Sequence, residues 1–279
     1  MVPRGVRQYI EPMPSLSWPR PFDAIRARLP DVARFSLPVL PRQCLLCGSW
    51  QSLPCCTACL TTWRPARQRC LRCAIDLPQR RANDICMRCE DQSPEFDRAI
   101  AALDYTPPWT SLMADLKFRE ATALAKPLAA LLAEAVAQRP HRVDLVLPVP
   151  LSPVRLRERG YNQAWLIARE VARRRGLLAR PDVLQRTRDT TRLMSLSTEE
   201  RQAQIQGAFE VTGALAGQPL RGRHIALVDD VMTTGATLQA LSLLLRAHGA
   251  RSVSAWVVAR TPAPSRHDRN LLEFPPKGR

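Results

Sequence analysis

The sequence predicts an α/β protein with a parallel sheet, preceded by a small metal-binding segment. From about residue 95 to 262, short apolar runs suited to strands alternate with longer helical patterns. The cysteines all lie between residues 41 and 92, most of them in C-x-x-C pairs. One apolar run ends in two consecutive acids, followed by a threonine–glycine cluster. Strand–helix–strand alternation implies right-handed crossovers, which place helices on both faces of the sheet.

The chain divides into four predicted segments. Residues 1–40 are rich in proline and arginine, and their composition predicts a loosely ordered start. Residues 41–92 form the cysteine-rich segment, residues 95–262 the α/β domain, and residues 263–279 a tail.

The net charge of +16 favours a polyanionic ligand or nucleic acid as a partner. Nearly all the cations are arginines, whose planar guanidinium group can donate two parallel hydrogen bonds to a phosphate. The alternative is an arginine-rich coding bias, since the arginines are scattered along the whole chain. No uninterrupted apolar run approaches the roughly 20 residues that a membrane-spanning helix needs. We therefore expect a cytoplasmic protein with reduced cysteines and no stable membrane insertion.

The elements of the α/β domain are predicted in chain order from these patterns. A strand at 98–105 precedes a two-part helical stretch at 109–137, with Pro127 near the start of its second part. The sequence "VDLVLPV" predicts a buried strand at 143–149. The remaining predictions are a helix at 162–175, an irregular polar stretch at 181–207, a strand at 224–230, a helix at 236–248 and a strand at 252–259.

The cysteine pairs predict two structural zinc sites. Each C-x-x-C turn offers two thiolates to one metal, and two such turns complete a closed tetrahedral site. The predicted ligands are Cys44, Cys47, Cys56, Cys59, Cys70, Cys73, Cys86 and Cys89. Consecutive pairing of the turns gives one site from the first four and one from the last four, while interleaved pairing is the alternative. Cys55 is interpreted as a spare thiol. Redox pairs or an iron–sulfur cluster are the competing interpretations.

The acid–threonine stretch predicts a site for a phosphorylated ribose. Ligands of open parallel sheets bind at the carboxyl ends of strands, where Asp229 and Asp230 lie. Carboxylates there suit ribose hydroxyls, and a following turn with free amides suits a phosphate. Helix capping alone would explain one or two of these residues but not two acids, three threonines and a glycine together. The predicted phosphate ligands are Thr233, Thr234, Gly235, Ala236 and Thr237.

Two motifs carry a resemblance to known proteins. The segment "ALVDDVMTTGAT" resembles the phosphoribosyl pyrophosphate (PRPP) motif of type I phosphoribosyltransferases. The segment "LPVPLSPVRLRERGYNQAWLIAREVARRRG", with "LKF" upstream and "LSTEER" downstream, is similar to the signature of the ComF family. Members of that family join zinc ribbons to a phosphoribosyltransferase-like domain, and some are competence proteins needed for DNA uptake.

The resemblance implies a type I phosphoribosyltransferase fold preceded by a double zinc ribbon, and PRPP with Mg²⁺ as the ligand. It implies that Asp229 and Asp230 hold the ribose in any catalysis, and that residues 181–207 form a mobile hood over the site. Two hood positions depart from the family pattern, Leu193 and Gln204, where Gln and Asn are usual. Candidates for pyrophosphate or hood contacts are Arg155, Arg157, Arg159, Asn162, Gln163 and Arg201.

Two functional hypotheses follow. The first is a ComF-type protein that binds PRPP and Mg²⁺ and takes part in DNA uptake, with phosphoribosyltransferase activity as its enzymatic form. The alternative is a nucleic-acid-binding protein without transferase activity, in which arginines and tryptophans hold single-stranded DNA. The tryptophans considered for stacking on bases are Trp50, Trp63, Trp109 and Trp165, although core packing is the more common role of this residue.

Overall fold

The computed structural model describes residues 41–79, 83–187, 207–212 and 220–263. The described residues from Arg42 onward belong to one compact unit. The predictions for residues 1–40, for the tail from residue 264 and for most of the hood, including Leu193, Arg201 and Gln204, lie outside the described residues.

The cysteine-rich segment contains little regular structure. It consists of a two-strand ladder and two short helices joined by C-x-x-C turns. Gly48 and Ala74 follow the first and third of these turns, and both have a left-handed backbone, with φ of 73° and 56°. Glycine adopts this conformation freely, whereas a buried alanine has to be held in it by its surroundings. The elements are β1 (Arg42–Gln43), β2 (Trp50–Gln51), α1 (Thr57–Trp63) and α2 (Met87–Asp91).

The core of the α/β domain is a four-stranded sheet in the order β3-β8-β7-β4, with every neighbouring pair parallel. A separate antiparallel pair, β5 and β6, lies at the two ends of the predicted hood segment. The α/β prediction with a parallel sheet is therefore confirmed. The strands are β3 (Arg98–Asp104), β4 (Leu145–Pro148), β5 (Leu184–Arg186), β6 (Phe209–Val211), β7 (His224–Met232) and β8 (Ser252–Arg260).

Helices cover both faces of the sheet, as the alternation predicted. Helices α3, α4 and α6 pack against one face, and α7 packs against the other with the β5–β6 pair. Pro127 is the third residue of α4, a position that proline tolerates because the first-turn amides have no partner within the helix. The helices are α3 (Trp109–Phe118), α4 (Ala125–Ala137), α5 (Pro153–Arg159), α6 (Gln163–Arg175) and α7 (Ala236–Ala247), with a 3₁₀ turn at Thr122–Leu124.

Helix α5 is an element that the sequence pattern did not predict. It is seven residues long, begins with Pro153 after the N-cap Ser152, and ends at Gly160, whose φ is 76°. The Ser152 hydroxyl accepts a hydrogen bond from the Arg155 amide at 3.4 Å. Proline at the first helical position and a left-handed glycine after the last are the usual signals of helix ends. The helix is too short for its hydrophobic periodicity to be recognised.

The tryptophans divide between core and surface. Trp109 is buried at 1% exposure and donates a hydrogen bond from Nε1 to the Trp63 carbonyl at 2.7 Å, so it packs inside the protein. Trp165 is partly buried against the same core. Trp50 and Trp63 are 69% and 48% exposed. The core interpretation is thus correct for Trp109, and stacking on bases stays open for Trp50 and Trp63.

Among the described residues, the helices are all too short or too polar to cross a lipid bilayer.

A half-buried histidine lies close to the amino-terminal edge of the sheet. The His141 ring packs edge-on against Trp256, with the ring centroids 5.7 Å apart. Its Nδ1 lies 2.9 Å from the Arg139 carbonyl, and its buried Nε2 has no hydrogen-bond partner among the described residues. Burial, with the positive charges of Arg98 and His224, lowers the pKa of His141 below its ordinary value of 6.5.

The fold therefore favours the neutral imidazole, and we expect its stability to be kept above pH 6.5 and to fall at lower pH. Thermal unfolding of the wild type and of His141→Phe, measured between pH 7.5 and 5.5, tests this. The melting temperature of the wild type should decrease more over this range than that of the variant. Equal decreases would show that His141 does not contribute to the pH dependence.

Candidate functional site

The two adjacent acids of β7 both line one cleft at the carboxyl end of the strand. Side chains alternate along a strand, and Ala226 and Val228 face the core under α4 and α6, whereas Leu227 faces the core under α7. This alternation is interrupted at the acids, because Val231 packs with the first core and Met232 with the second. Strand β7 continues through Met232, so the acids precede its end by two residues rather than terminating it.

Asp230 forms a buried ion pair that was not predicted. The Lys117 ammonium lies 2.8 Å from Oδ2 of Asp230, and the two side chains are 21% and 4% exposed. Oδ1 of Asp230 accepts a hydrogen bond from the Val231 amide at 2.9 Å. Removal of one partner from a buried pair typically costs about 3–5 kcal/mol, because the other charge is left uncompensated. Lys117 belongs to the "LKF" motif, but only the fold brings the last turn of α3 to β7.

Asp229 is less well compensated. Its Oδ1 accepts a hydrogen bond from the Asp230 amide at 2.8 Å. Removal of water from around the carboxyl group, together with the neighbouring Asp230 charge, raises the pKa of Asp229 well above its ordinary value. A hydroxyl donor or a cation placed next to Asp229 would stabilise its ionised form.

The turn after β7 presents backbone amides to a small cleft. Gly235 has φ of 85° and precedes the first residue of α7, so a side chain at this position would be strained. The cleft has a volume of about 220 Å³ and is lined by residues 231–238 together with Asp229. Among the described residues, the N–H groups of Thr233, Thr234 and Gly235 donate to no acceptor. Free amides at the start of a helix are suited to an anion.

A larger cleft of about 530 Å³ opens above both acids. It contains four cations and four acids, so it is strongly polar without a single dominant sign of charge. The Arg159 guanidinium stacks over the Phe118 ring at 5.4 Å and donates to the Gln163 side chain. The charged lining residues are Lys117, Glu120, Arg155, Glu158, Arg159, Arg186, Asp229 and Asp230.

The predicted site residues are only partly brought together. The large cleft is lined by Arg155, Arg159, Gln163 and Thr237 along with both acids. Arg157 does not line it. The Asn162 side chain caps α6, since its Oδ1 accepts from the Ala164 amide at 2.9 Å and its Nδ2 donates to the Val149 carbonyl at 3.0 Å. The side chain of Asn162 therefore makes its hydrogen bonds to backbone groups of the protein.

The cysteines form two four-sulfur clusters with consecutive pairing of the C-x-x-C turns. In each cluster the sulfur atoms lie within 4.8 Å of one another. This resolves the choice between consecutive and interleaved pairing. The first cluster contains Cys44, Cys47, Cys56 and Cys59, and the second contains Cys70, Cys73, Cys86 and Cys89.

The sulfur spacing fits a tetrahedral metal. A tetrahedron with metal–sulfur bonds of about 2.3 Å has sulfur–sulfur edges of about 3.8 Å. Sγ of Cys47 lies 3.8 Å from Sγ of Cys56 in the first cluster, and the distance from Cys73 to Cys86 in the second is 3.7 Å. Backbone amides also point at the sulfurs, for example from Cys86 to Sγ of Cys70 at 3.3 Å. Four thiolates leave no open coordination position, so both clusters are suited to a structural metal.

Cys55 lies outside both clusters. It is 4% exposed and packs within the core under α4. Burial and the nearby Cys44 raise the pKa of the Cys55 thiol to about 11, which keeps it in the neutral form. The sequence interpretation of Cys55 as a spare thiol agrees with this position.

Comparisons with known proteins agree with the fold. The family model for the phosphoribosyl transferase domain matches residues 169–273. DNA utilization protein YhgH of Salmonella typhimurium is 33% identical over 228 residues, which cover 80% of this chain and 98% of that protein. Competence protein F of Haemophilus influenzae is 34% identical over 180 residues, 63% of this chain and 78% of that protein.

A solved structure of glutamine PRPP amidotransferase from B. subtilis aligns with 48% of this chain and 26% of its own, at 18% identity and a TM-score of 0.34. That similarity is too low to carry an argument.

The family-model match, the parallel sheet and the two four-cysteine clusters define the class as a phosphoribosyltransferase-like domain joined to a double four-cysteine module. Within that class, the chain belongs to the ComF family, as its similarity to DNA utilization protein YhgH and to competence protein F shows.

We expect Cys55→Ala to keep two bound metal ions per chain, and Cys56→Ala to lose one. The two residues are adjacent, but only Cys56 belongs to a cluster. Metal content of the purified proteins, measured by mass spectrometry of the ions, tests the prediction. Loss of a metal from Cys55→Ala would mean that the ligand set differs from the one described.

Proposed function

We propose that this protein binds PRPP, or a related ribose 5-phosphate, together with Mg²⁺ in the cleft above β7. One observation carries the proposal: two carboxylates and a turn with free amides share the carboxyl end of one strand. The carboxylates suit hydroxyl groups, and the amides suit a phosphate. A sugar that carries a phosphate on its 5′ oxygen presents both kinds of group.

The two acids have different surroundings in the cleft. Asp229 lines both clefts and faces the turn, whereas Asp230 is held by Lys117 at 2.8 Å. We assign the ribose hydroxyls to this pair. Because hydroxyl donors favour the ionised carboxylate, ligand binding lowers the pKa of Asp229 toward its ordinary range.

The 5′-phosphate is assigned to the turn of residues 233–237. Three consecutive free amides and the threonine hydroxyls supply donors, and the helix dipole of α7 adds a partial positive charge. The turn itself contains no lysine or arginine. The phosphate would therefore be bound by hydrogen bonds from neutral groups.

The pyrophosphate of PRPP is assigned to the part of the large cleft lined by cations, which include Arg155, Arg159 and Lys117. The carboxylates of Asp229 and Asp230 would hold Mg²⁺, directly or through bound water, and the ion would neutralise part of the pyrophosphate charge. The side chains of Arg155 and Arg159 would hold the remaining charge in place, which is what a leaving pyrophosphate requires.

The enzymatic activity that we propose for this site is phosphoribosyl transfer. Release of pyrophosphate from PRPP, measured with Mg²⁺ and each common nucleobase, tests it. Leu193 and Gln204 replace hydrogen-bonding residues of the family pattern in the hood, so binding of PRPP is the more robust expectation.

We further propose that the two clusters hold zinc, whose preference for four thiolates in a tetrahedron matches their geometry. The relatives are named DNA utilization protein and competence protein. We therefore place this protein in DNA uptake or DNA use, in the cytoplasm.

Asp229→Asn and Asp230→Asn should each weaken PRPP–Mg²⁺ binding about ten- to hundredfold, since a hydrogen bond to a charged group contributes about 1.5–3 kcal/mol. Isothermal titration calorimetry measures the affinity, and circular dichroism checks the fold. Asp115→Asn is a matched control, because Asp115 lies on the helix of Lys117 but pairs with the exposed Arg119. Failure of the wild type to bind, or equal loss in the control, would contradict the proposal.

A second candidate function is binding of single-stranded DNA along the edge of β3. Two clefts of about 480 Å³ each share Ile100 and Arg139, and six arginines line them. The half-buried Arg139 side chain makes no ion pair or hydrogen bond with another described residue, so a phosphate would compensate its charge. The arginines are Arg64, Arg67, Arg69, Arg72, Arg98 and Arg139.

If DNA binds there, the logarithm of affinity for a labelled oligonucleotide should fall linearly with the logarithm of salt concentration. Each phosphate contact contributes a slope of about −0.7, so Arg139→Gln should reduce the slope by about that amount. Arg175→Gln, a change in the last turn of α6 outside both clefts, serves as the control. Absent or salt-insensitive binding would remove this candidate.

A further inference from the structure

A buried arginine connects the second cysteine cluster to the turn after β7. Arg260 is the last residue of β8 and is 5% exposed. Its Nε donates to the Cys73 carbonyl at 3.0 Å. Its Nη1 donates to the Met232 carbonyl at 3.1 Å and also to the Thr233 carbonyl. One side chain thus contacts a residue of a four-cysteine cluster and the first peptides of the turn.

This contact determines which way the amides of the turn point. In a trans peptide the carbonyl oxygen and the N–H group point in opposite directions. The Met232 and Thr233 carbonyls point inward, to Arg260. The amides of the same peptide units, those of Thr233 and Thr234, therefore point away from Arg260. These are two of the amides without an acceptor in the described structure.

The segments that flank the second cluster also contact this end of the sheet. Phe96, which follows the cluster in sequence, is 2% exposed, and its ring lies 3.8 Å from the position of a Cβ on Gly235. Arg67 and Arg69, which precede the cluster, each lie 2.8 Å from Asp104 at the end of β3. The carbonyl of Leu71, within the cluster, accepts a hydrogen bond from the Ala99 amide at the start of the same strand. The cluster is therefore attached along the edge of β3, and its flanking segments reach the carboxyl end where the ligand cleft opens.

The first cluster is attached elsewhere. Arg64, at the end of α1, donates to the Leu131 carbonyl at 3.4 Å and pairs with Glu134 at 2.7 Å. It also donates to the Ala102 carbonyl at 3.4 Å. These contacts join the first cluster to α4 and β3, and none of them involves the turn after β7.

We propose that the second metal cluster positions the phosphate-binding turn, and that Arg260 is the positioning residue that connects them. The proposal rests on the proposed function for its consequence, since a displaced turn would weaken binding of the 5′-phosphate. It assigns different roles to two clusters that have the same ligands: the second supports the ligand site, and the first does not.

Arg260→Lys tests the connection. Lysine keeps the positive charge, but it lacks the planar guanidinium group with which Arg260 donates to three carbonyl groups at once. We expect the variant to retain two metal ions and to bind PRPP–Mg²⁺ at least about tenfold more weakly by calorimetry. Arg64→Lys makes the same change at the first cluster and should bind within about twofold of wild type. Wild-type affinity in Arg260→Lys would overturn the proposal.

A second pair of variants keeps the proposal testable if Arg260→Lys does not fold. Cys73→Ser and Cys47→Ser each remove one ligand, from the second and the first cluster respectively. Amide hydrogen exchange in the full-length protein should become faster in Cys73→Ser only at Gln239 and Thr261, whose amides donate to the Gly235 and Met232 carbonyls. Exchange at residues 225–228 of β7 should stay slow in both variants. Equal exchange at Gln239 and Thr261 in the two variants would overturn the proposal.

Hydrogen exchange also separates this proposal from the proposed function, because it needs no ligand. If the wild type fails to bind PRPP but the amides of Gln239 and Thr261 lose protection only in Cys73→Ser, the proposed function is wrong and the structural connection stands. If the wild type binds and neither Arg260→Lys nor Cys73→Ser changes affinity or exchange, the connection is wrong and the proposed function stands.

Discussion

Two carboxylates placed side by side near the end of a buried strand repel each other, and the surrounding site is arranged around that repulsion. Both side chains line the same cleft. Lys117 lies 2.8 Å from Asp230 and compensates its charge, while the environment of Asp229 raises the pKa of that carboxyl group. The arrangement is asymmetric, because one acid is paired within the protein and the other is suited to a hydrogen-bond donor from a ligand. Any shift of α3 that moved Lys117 would leave the buried Asp230 carboxylate without compensation.

The turn beside the acids, residues 233–237, contains no charged side chain. A lysine or arginine in the turn would pair with Asp229 and close the cleft in the absence of a ligand. Backbone amides bind a phosphate without competing in this way, but they work only if they are held in position. In this fold that support comes from behind the turn, from Arg260 and from the packing of Phe96 near Gly235.

The sequence predicted the features that depend on local patterns, and it missed those that depend on tertiary contacts. The strands β3, β4, β7 and β8 were placed within about two residues because apolar runs and strand-end signals are local. Asp229 and Asp230 were found through their position after such a run. Lys117 was not assigned to the site, because nothing near it in the chain shows that the last turn of α3 reaches β7. For the same reason the pairing of the C-x-x-C turns needed the structure.

The strand order also affects how the protein forms during synthesis. Strand β3 is made early, but β8, its strand partner among the described residues, begins at Ser252. The two cysteine clusters, by contrast, each close within a short stretch of chain and can take up metal while the ribosome is still translating the sheet. The edge of β3 therefore stays unpaired during most of the translation, and unpaired strand edges favour aggregation. The second cysteine cluster, which folds early, covers part of this edge, because the Leu71 carbonyl accepts a hydrogen bond from the Ala99 amide at 3.1 Å.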